Sequence, residues 1–228
     1  MDLTKGKTRM NTLIIGAGSD IGKAVALRLY QEDHITGTYY QSSEAVKDLC
    51  GDFFQCDLRD LVQIDQVIQD VPNLDLIVTA AFPFIESSNF DYESYQKVEE
   101  ILRGHVYLLC QLRNKMRADC RIINILGQCV ERGIPEAAFY SAAFAFLHNW
   151  GHGINSKEGK EGKVSICDLL LGPVDTREWA GLSMETLQKY RSKVKQFIST
   201  KTVADALYHI SRMPVMPSTY VLDAYYGY

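Results

Sequence analysis

No stretch of this 228-residue chain approaches the ~18 uninterrupted apolar residues of a membrane-spanning helix, and the charged start from Met1 to Arg9 lacks the apolar core of a signal peptide. A membrane is therefore not an expected partner, and a cytoplasmic location is the expectation. A positive balance is missing too: 24 Lys and Arg against 28 Asp and Glu leave a net charge of -4, which offers no broad field to DNA or RNA. No CxxC pair occurs among Cys50, Cys56, Cys110, Cys120, Cys129 and Cys167, so these thiols read as reduced core residues. Neither a disulfide frame nor a metal site is expected. No internal repeat or shift in composition divides the chain. With 46% hydrophobic residues it is long enough for one large core, so a single domain over residues 10–228 is expected, with residues 1–9 as a disordered or appended leader.

What is present begins with Thr12-Leu13-Ile14-Ile15-Gly16-Ala17-Gly18-Ser19-Asp20-Ile21-Gly22-Lys23, an apolar run followed by a glycine turn and a helical pattern. Leu13 to Ile15 suits a strand covered on both faces of a parallel sheet. Gly16 and Gly18 permit a backbone approach that a Cβ blocks, and Gly22 permits the helix to pack tightly on the strand. The N–H groups that open the helix around Ser19, Asp20 and Ile21 are placed to face a pyrophosphate, where the helix dipole favours negative charge. Spacing of this GxGxxxG kind is a weak signal by itself, since glycine turns also join strands to helices without any ligand.

The rest of the chain alternates between two periodicities. Apolar residues at helical spacing follow Gly22 as far as Asp33, and further helices are expected at Ala45–Leu49, Leu61–Val71, Tyr92–Met116, Ala137–Ile154, Met184–Val194 and Val203–Met213. Strands are expected at His34–Tyr40, Phe53–Cys56, Leu74–Ala80, Arg121–Leu126, Lys163–Leu171 and Tyr220–Tyr225. This alternation implies an α/β protein, a doubly wound parallel sheet (Rossmann fold) of about seven strands with helices on both faces. In such folds an acidic residue at the end of the second strand holds the ribose 2′-OH of NAD. Here that strand ends Thr38-Tyr39-Tyr40-Gln41-Ser42-Ser43, with no carboxylate to repel a 2′-phosphate and with the hydroxyls of Tyr40 and Ser42 able to bind one. NADP(H) is favoured over NAD(H) on that ground. On the other side of the balance, the segment holds no Arg or Lys, and Asp20 adds a negative charge nearby.

Taken in order, these motifs resemble the short-chain dehydrogenase/reductase family over residues 10–228. Beyond the glycine turn, Asp57-Leu58 resembles the family's adenine contact and Ile122-Ile123-Asn124-Ile125 its "IVNIS" strand. Tyr140-Ser141-Ala142-Ala143 resembles the start of its YxxxK helix, and Leu171-Gly172-Pro173-Val174-Asp175-Thr176 its "PGxVxT" segment, which implies a nicotinamide carboxamide held by Gly172, Val174 and Thr176. The resemblance implies a catalytic tyrosine at Tyr140. It departs at the other catalytic positions: Phe144 stands at the lysine, Gly127 at the serine and Ile101 at the asparagine, while the family's "NNAG" is Thr79-Ala80-Ala81-Phe82.

An unassisted tyrosine titrates near ~10, and the family's lysine supplies the shift that makes it useful at neutral pH. Phe144 supplies none. His105, on the preceding helix, is a candidate substitute acid or base, with a core or interface histidine as its plainer reading. His148 lies two turns beyond Tyr140, about 12 Å along the axis, too far to replace the lysine. In the loop Gln128–Gly133, Glu131 and Arg132 are candidates for touching substrate or form a solvated pair, and Cys129 is a candidate nucleophile or a buried thiol. Phe139, Tyr140, Phe144, Phe146 and Trp150 suggest an apolar pocket, a dimer face or core packing, and Trp179, Leu182 and Met184 an apolar lid. The leading expectation is an NADP(H)-binding oxidoreductase acting on an apolar small-molecule carbonyl, alcohol or activated double bond. Two rivals stand beside it: a catalytically silent subunit that pairs with an intact homologue, and a non-redox isomerase, cyclase or dehydratase. By resemblance, a homodimer or homotetramer forms through the two long helices.

Overall fold

The structure is a computed structural model and describes residues 9–87, 90–159, 161, 163–177, 179, 184–194 and 196–223. The first half runs β1 (Met10–Ile15), α1 (Asp20–Leu29), β2 (Asp33–Tyr39), β3 (Asp52–Gln55), α2 (Leu61–Asp70), β4 (Leu74–Thr79) and α3 (Tyr92–Gln111). The second runs β5 (Met116–Gly127), α4 (Cys129–Arg132), α5 (Ala138–Ile154), β6 (Val164–Leu171), α6 (Met184–Lys193), α7 (Thr200–Arg212) and β7 (Thr219–Leu222). The seven strands form one sheet in the order β3-β2-β1-β4-β5-β6-β7. All six pairings are parallel, as the alternation of strand and helix requires. Chain progress reverses direction between β1 and β4, so a crevice opens beyond their carboxyl ends, where doubly wound sheets take their ligands.

The apolar run in β1 explains why that strand is central. Leu13, Ile14 and Ile15 are all fully buried, and alternate side chains serve opposite layers. Ile14 packs with Val25 and Leu29 of α1 and with Val203 and Leu207 of α7. Leu13 and Ile15 pack with Ile64 and Val67 of α2 and Leu108 and Leu112 around the end of α3. Burial on both faces fixes β1 rigidly, and the turn that follows inherits its position.

Several boundaries differ from expectation for local reasons. The helix expected to reach Met116 stops at Gln111, passes through a 3-10 turn at Leu112–Lys115 and gives way to β5. Met116 is drawn into the sheet opposite Leu74, with a register irregularity before Arg121 and a left-handed Asp119 at φ 61. The helix expected at Ala45–Leu49 is replaced by a 3-10 turn at Ser43–Ala45, because Ser42 Oγ accepts the Glu44 N–H and starts the turn two residues earlier. Arg9, assigned to the leader, is anchored: its guanidinium donates to the carbonyls of Tyr30 (3.1 Å) and Gln31 (2.9 Å). The expected final strand is shorter, ending at Leu222, and residues 224–228 lie outside the described residues. No helix among the described residues is long and apolar enough to cross a membrane.

Candidate active site

The glycine turn sits at the mouth of the crevice. Gly16 has φ +86, a left-handed conformation that L side chains rarely adopt, and a Cβ there would lie 2.7 Å from the Ala80 carbonyl oxygen of the neighbouring strand end. A Cβ at Gly22 would lie 2.1 Å from the Gly16 carbonyl oxygen, so α1 docks on the turn only because that residue is glycine. Ser19 caps α1, its Oγ accepting the Gly22 N–H at 3.0 Å. Asp20 is engaged from across the crevice: its carboxylate accepts from the Arg177 backbone N–H and Nε, each at 2.7 Å. Partial burial pushes the Asp20 carboxyl up, but its bonds to Arg177 outweigh this and hold it below the usual carboxylate range.

The far end of the crevice is built where β2 and β3 finish side by side, with Tyr39 opposite Gln55. Tyr40, Asp57 and Leu58 line it. Arg59, absent from the expected site, is the residue that organises this end. Its guanidinium donates to both Asp57 oxygens, at 3.0 Å and 2.8 Å, and to Tyr40 Oη, and it lies over the Tyr40 ring at 5.4 Å. Arg59 holds the Asp57 carboxyl below its ordinary range. The strand end itself holds no cation, as the sequence indicates, but the turn after β3 delivers one to the same place.

Between these ends lies a cleft of about 1640 Å³ whose deep wall is aromatic. Tyr140 and Phe144, one turn apart on α5, have ring centroids 4.3 Å apart, and Phe82 and Phe84 meet the Tyr140 ring at 5.8 Å and 5.1 Å. Phe144 is buried against Leu126, Leu147 and Leu170. Gly127 and Ile101 line the same cleft. A Cβ at Gly127 would meet Cys129 Sγ at 3.2 Å and the Phe144 ring at 3.6 Å. Burial pushes the Cys129 thiol up to about 11, so it stays protonated near neutral pH and is no ready nucleophile.

Other expected residues fall as follows. Gly18, Ser19, Asp20, Ile21, Ser42, Gly172, Val174 and Thr176 line the cleft together with Gly16 and Tyr140, as do Glu131, Arg132 and Trp179. Trp179 donates its ring N–H to the Val174 carbonyl and meets Phe197 edge-on at 5.0 Å, which fixes it at the rim. Met184 is exposed and does not line the cleft, and Leu182 lies outside the described residues.

His105 needs correction. It is only 2% exposed, does not line the cleft, and neither ring nitrogen has a hydrogen-bond partner among the described residues. Burial pushes its pKa down to about 4, so it is a neutral imidazole enclosed behind the site and not a group presented beside Tyr140. His105 stands one turn beyond Ile101 on the same face of α3, past the point where that face lines the cleft. His148 points to Asp168 of β6.

Known proteins place this architecture. The chain is 23% identical over 180 residues to an uncharacterised oxidoreductase of Staphylococcus aureus (strain MW2), spanning 72% of this chain and 78% of that protein. Its fold is similar to a dehydrogenase/reductase from Sinorhizobium meliloti 1021, with TM-score 0.84, 18% identity and coverage of 96% of this chain and 95% of that one. It is also similar to BdcA in complex with NADPH, with TM-score 0.83, 17% identity and coverage of 96% and 94%. Residues 10–186 match the family model for short chain dehydrogenase, which spans the glycine turn, the aromatic wall and the segment after β6, and the chain belongs to that family.

Proposed function

We propose that the cleft holds NADP(H) and that the chain is an oxidoreductase for an apolar carbonyl, alcohol or activated double bond, with Tyr140 as its acid/base group. The observation that carries this reading is the continuity of one cleft from the Gly16 turn, past the wall bearing Tyr140, to the Gly172 to Thr176 segment. The residues fit the cofactor at three points. Gly16 and Gly22 keep the turn clear of side chains where a diphosphate meets the first turn of α1. Tyr40, Asp57 and Arg59 frame the adenosine end, and Arg59 supplies the positive charge that suits a 2′-phosphate. Gly172, Val174 and Thr176 match the family's carboxamide segment. The likeness to BdcA, crystallised with NADPH, supports the same choice.

Bound there, the nicotinamide supplies or accepts the hydride. Tyr140 does the proton work: its hydroxyl gives a proton to the substrate oxygen in reduction and takes one in oxidation. Phe82, Phe84 and Phe144 pack against its ring and make the wall around it apolar, which strengthens a hydrogen bond formed there. The cost is at Phe144. An apolar ring in the lysine's place supplies no charge to lower the phenol's pKa, so that position contributes nothing to turnover near neutral pH.

That same residue favours a second reading, a subunit that binds cofactor without turnover and pairs with an intact homologue. Exposed Tyr92 and Tyr95 on α3 and Phe146 on α5 support association through these helices, with a second copy or with that homologue. Calorimetric titration with NADPH and NADH, then turnover of apolar aldehydes, ketones and enones read at the nicotinamide absorbance band, tests both. Saturable NADPH binding with turnover that falls at least about a hundredfold in Tyr140→Phe is expected. Lack of binding at millimolar cofactor overturns the first reading. Binding without turnover moves the conclusion to the second, and products formed with no change at the nicotinamide band point to a non-redox enzyme.

A further inference from the structure

We propose that His148, His152 and Asp168 form a binding site for a divalent transition-metal cation of the zinc class, separate from the cofactor cleft. None of the three lines that cleft. His148 lies about 12 Å along α5 from Tyr140, on the rise of a helix.

The donor set assembles from two elements. The two histidines are one turn apart on α5, so both rings leave the same helical face, and their centroids stand 4.5 Å apart at 88°. Asp168, in the middle of β6 and 1% exposed, turns its carboxylate to that face. Its Oδ2 lies 2.8 Å from His148 Nδ1, and one donor atom from each of the three residues falls within 4.8 Å of the other two. Residue 151, between the histidines, is a glycine that faces the same carboxylate: a Cβ there would meet Ile166 Cγ2 at 3.2 Å and lie in ordinary contact with the carboxylate oxygens at 3.5 Å and 3.6 Å.

The carboxylate is also held in place. Asn124 Nδ2 donates to Asp168 Oδ1 at 2.8 Å, and Asn124 Oδ1 accepts from Thr79 Oγ1 at 3.1 Å. A relay of this kind behind a carboxylate fixes its direction, as outer partners do in metal sites, and keeps Oδ2 turned to the histidines. On the open side, Thr219 Oγ1 of β7 stands 3.5 Å from His152 Nε2.

Charge supplies the independent argument. A carboxylate sunk into a sheet is stabilised by a cation beside it. Among the described residues no lysine or arginine pairs with Asp168, and the imidazole of His148 that meets it counts as an ion-pair partner only when protonated. Two neutral imidazoles and one carboxylate suit zinc, cobalt or nickel, and three protein ligands leave further positions to water. His148 and His152 are partly exposed, which leaves a path from solvent. Bound there, the cation ties α5 to β6 below the aromatic wall.

The test uses the full chain stripped with a chelator. Calorimetric titration with zinc chloride is expected to show one saturable site per chain, with affinity weakened at least about tenfold in His148→Ala and in His152→Ala. His34→Ala, at an exposed histidine elsewhere, is expected to leave it unchanged. Titration with cobalt(II) is expected to give visible ligand-field absorption without the thiolate charge-transfer band that binding at exposed Cys50 or Cys110 would produce. His152→Ala keeps the His148–Asp168 pair intact, so it decides the matter if His148→Ala does not fold. The proposal is overturned by absence of saturable binding at millimolar zinc, by equal affinity in wild type and His152→Ala, or by a thiolate band.

Discussion

Replacing the enclosed imidazole of His105 by leucine should change how stability depends on pH, by an amount that follows from its burial. A histidine titrates near 6.5 when exposed, and burial pushes this one down to about 4. The unfolded chain therefore takes up a proton that the folded chain refuses, and His105 destabilises the fold increasingly as pH falls from 6.5 towards 4. A gap of about 2.5 pH units at ~1.36 kcal/mol each caps this loss at ~3 kcal/mol in acid. Over the accessible range the loss is nearly zero at about pH 7.5 and ~1.4 kcal/mol at about pH 5.5. Leucine of similar volume removes this proton linkage. It also removes two buried nitrogens with no partner, a pH-independent gain of ~1–2 kcal/mol. Urea unfolding of wild type and His105→Leu at the two pH values gives a double difference in which all other titrating groups cancel. The leucine variant should gain about 1.4 kcal/mol more over wild type at the lower pH than at the higher. A stability difference that does not move with pH would refute the reasoning, and so would a variant that loses stability at both.

Arg59→Ala should weaken NADPH binding by about tenfold to a hundredfold, the worth of one charge-assisted contact to a phosphate discounted for solvent exposure. NADH should change by less than about threefold, and calorimetry that finds equal losses removes Arg59 from 2′-phosphate recognition. Brief alkylation of the native protein, mapped by peptide mass, should modify exposed Cys50 and Cys110 first. Cys56, Cys120 and Cys167, pushed up to about 12 by burial, should react only after unfolding, and early labelling of any of them would contradict the packing.

Features carried by consecutive residues were legible in the sequence. The apolar run of β1 and the turn at Gly16 lie within one short stretch, and each has a local physical cause. The strand alternation likewise implied the sheet, because both faces of its central strands are buried. Sites joined by pairing between strands were not legible. Arg59 follows Tyr40 by 19 residues, and only the β2–β3 register brings its guanidinium to that ring. His148 was legible two turns beyond Tyr140, but nothing local announced that Asp168 faces it and His152 from β6. His105 failed for a related reason: residue type suggested chemistry, whereas its position on α3 decided burial. The start of β5 was hidden because Met116 falls at helical spacing after Leu112, a pattern that only strand pairing with Leu74 overrides.

The contact between Asp20 and Arg177 joins the first turn of α1 to the segment that leaves β6, 157 residues later in the chain. Its chemistry is that of an exchangeable counter-ion. Asp20 places a negative charge at the helix start, where an incoming diphosphate would otherwise be repelled, and Arg177 cancels it. A diphosphate arriving at this turn competes with Asp20 for the same guanidinium. Every transfer of that guanidinium from carboxylate to phosphate loosens the tie on the segment that positions Trp179. With the cofactor site proposed above, occupancy of the turn would weaken the tie on the cleft rim through one exposed side chain, and the ionic strength that screens this pair would weaken it too.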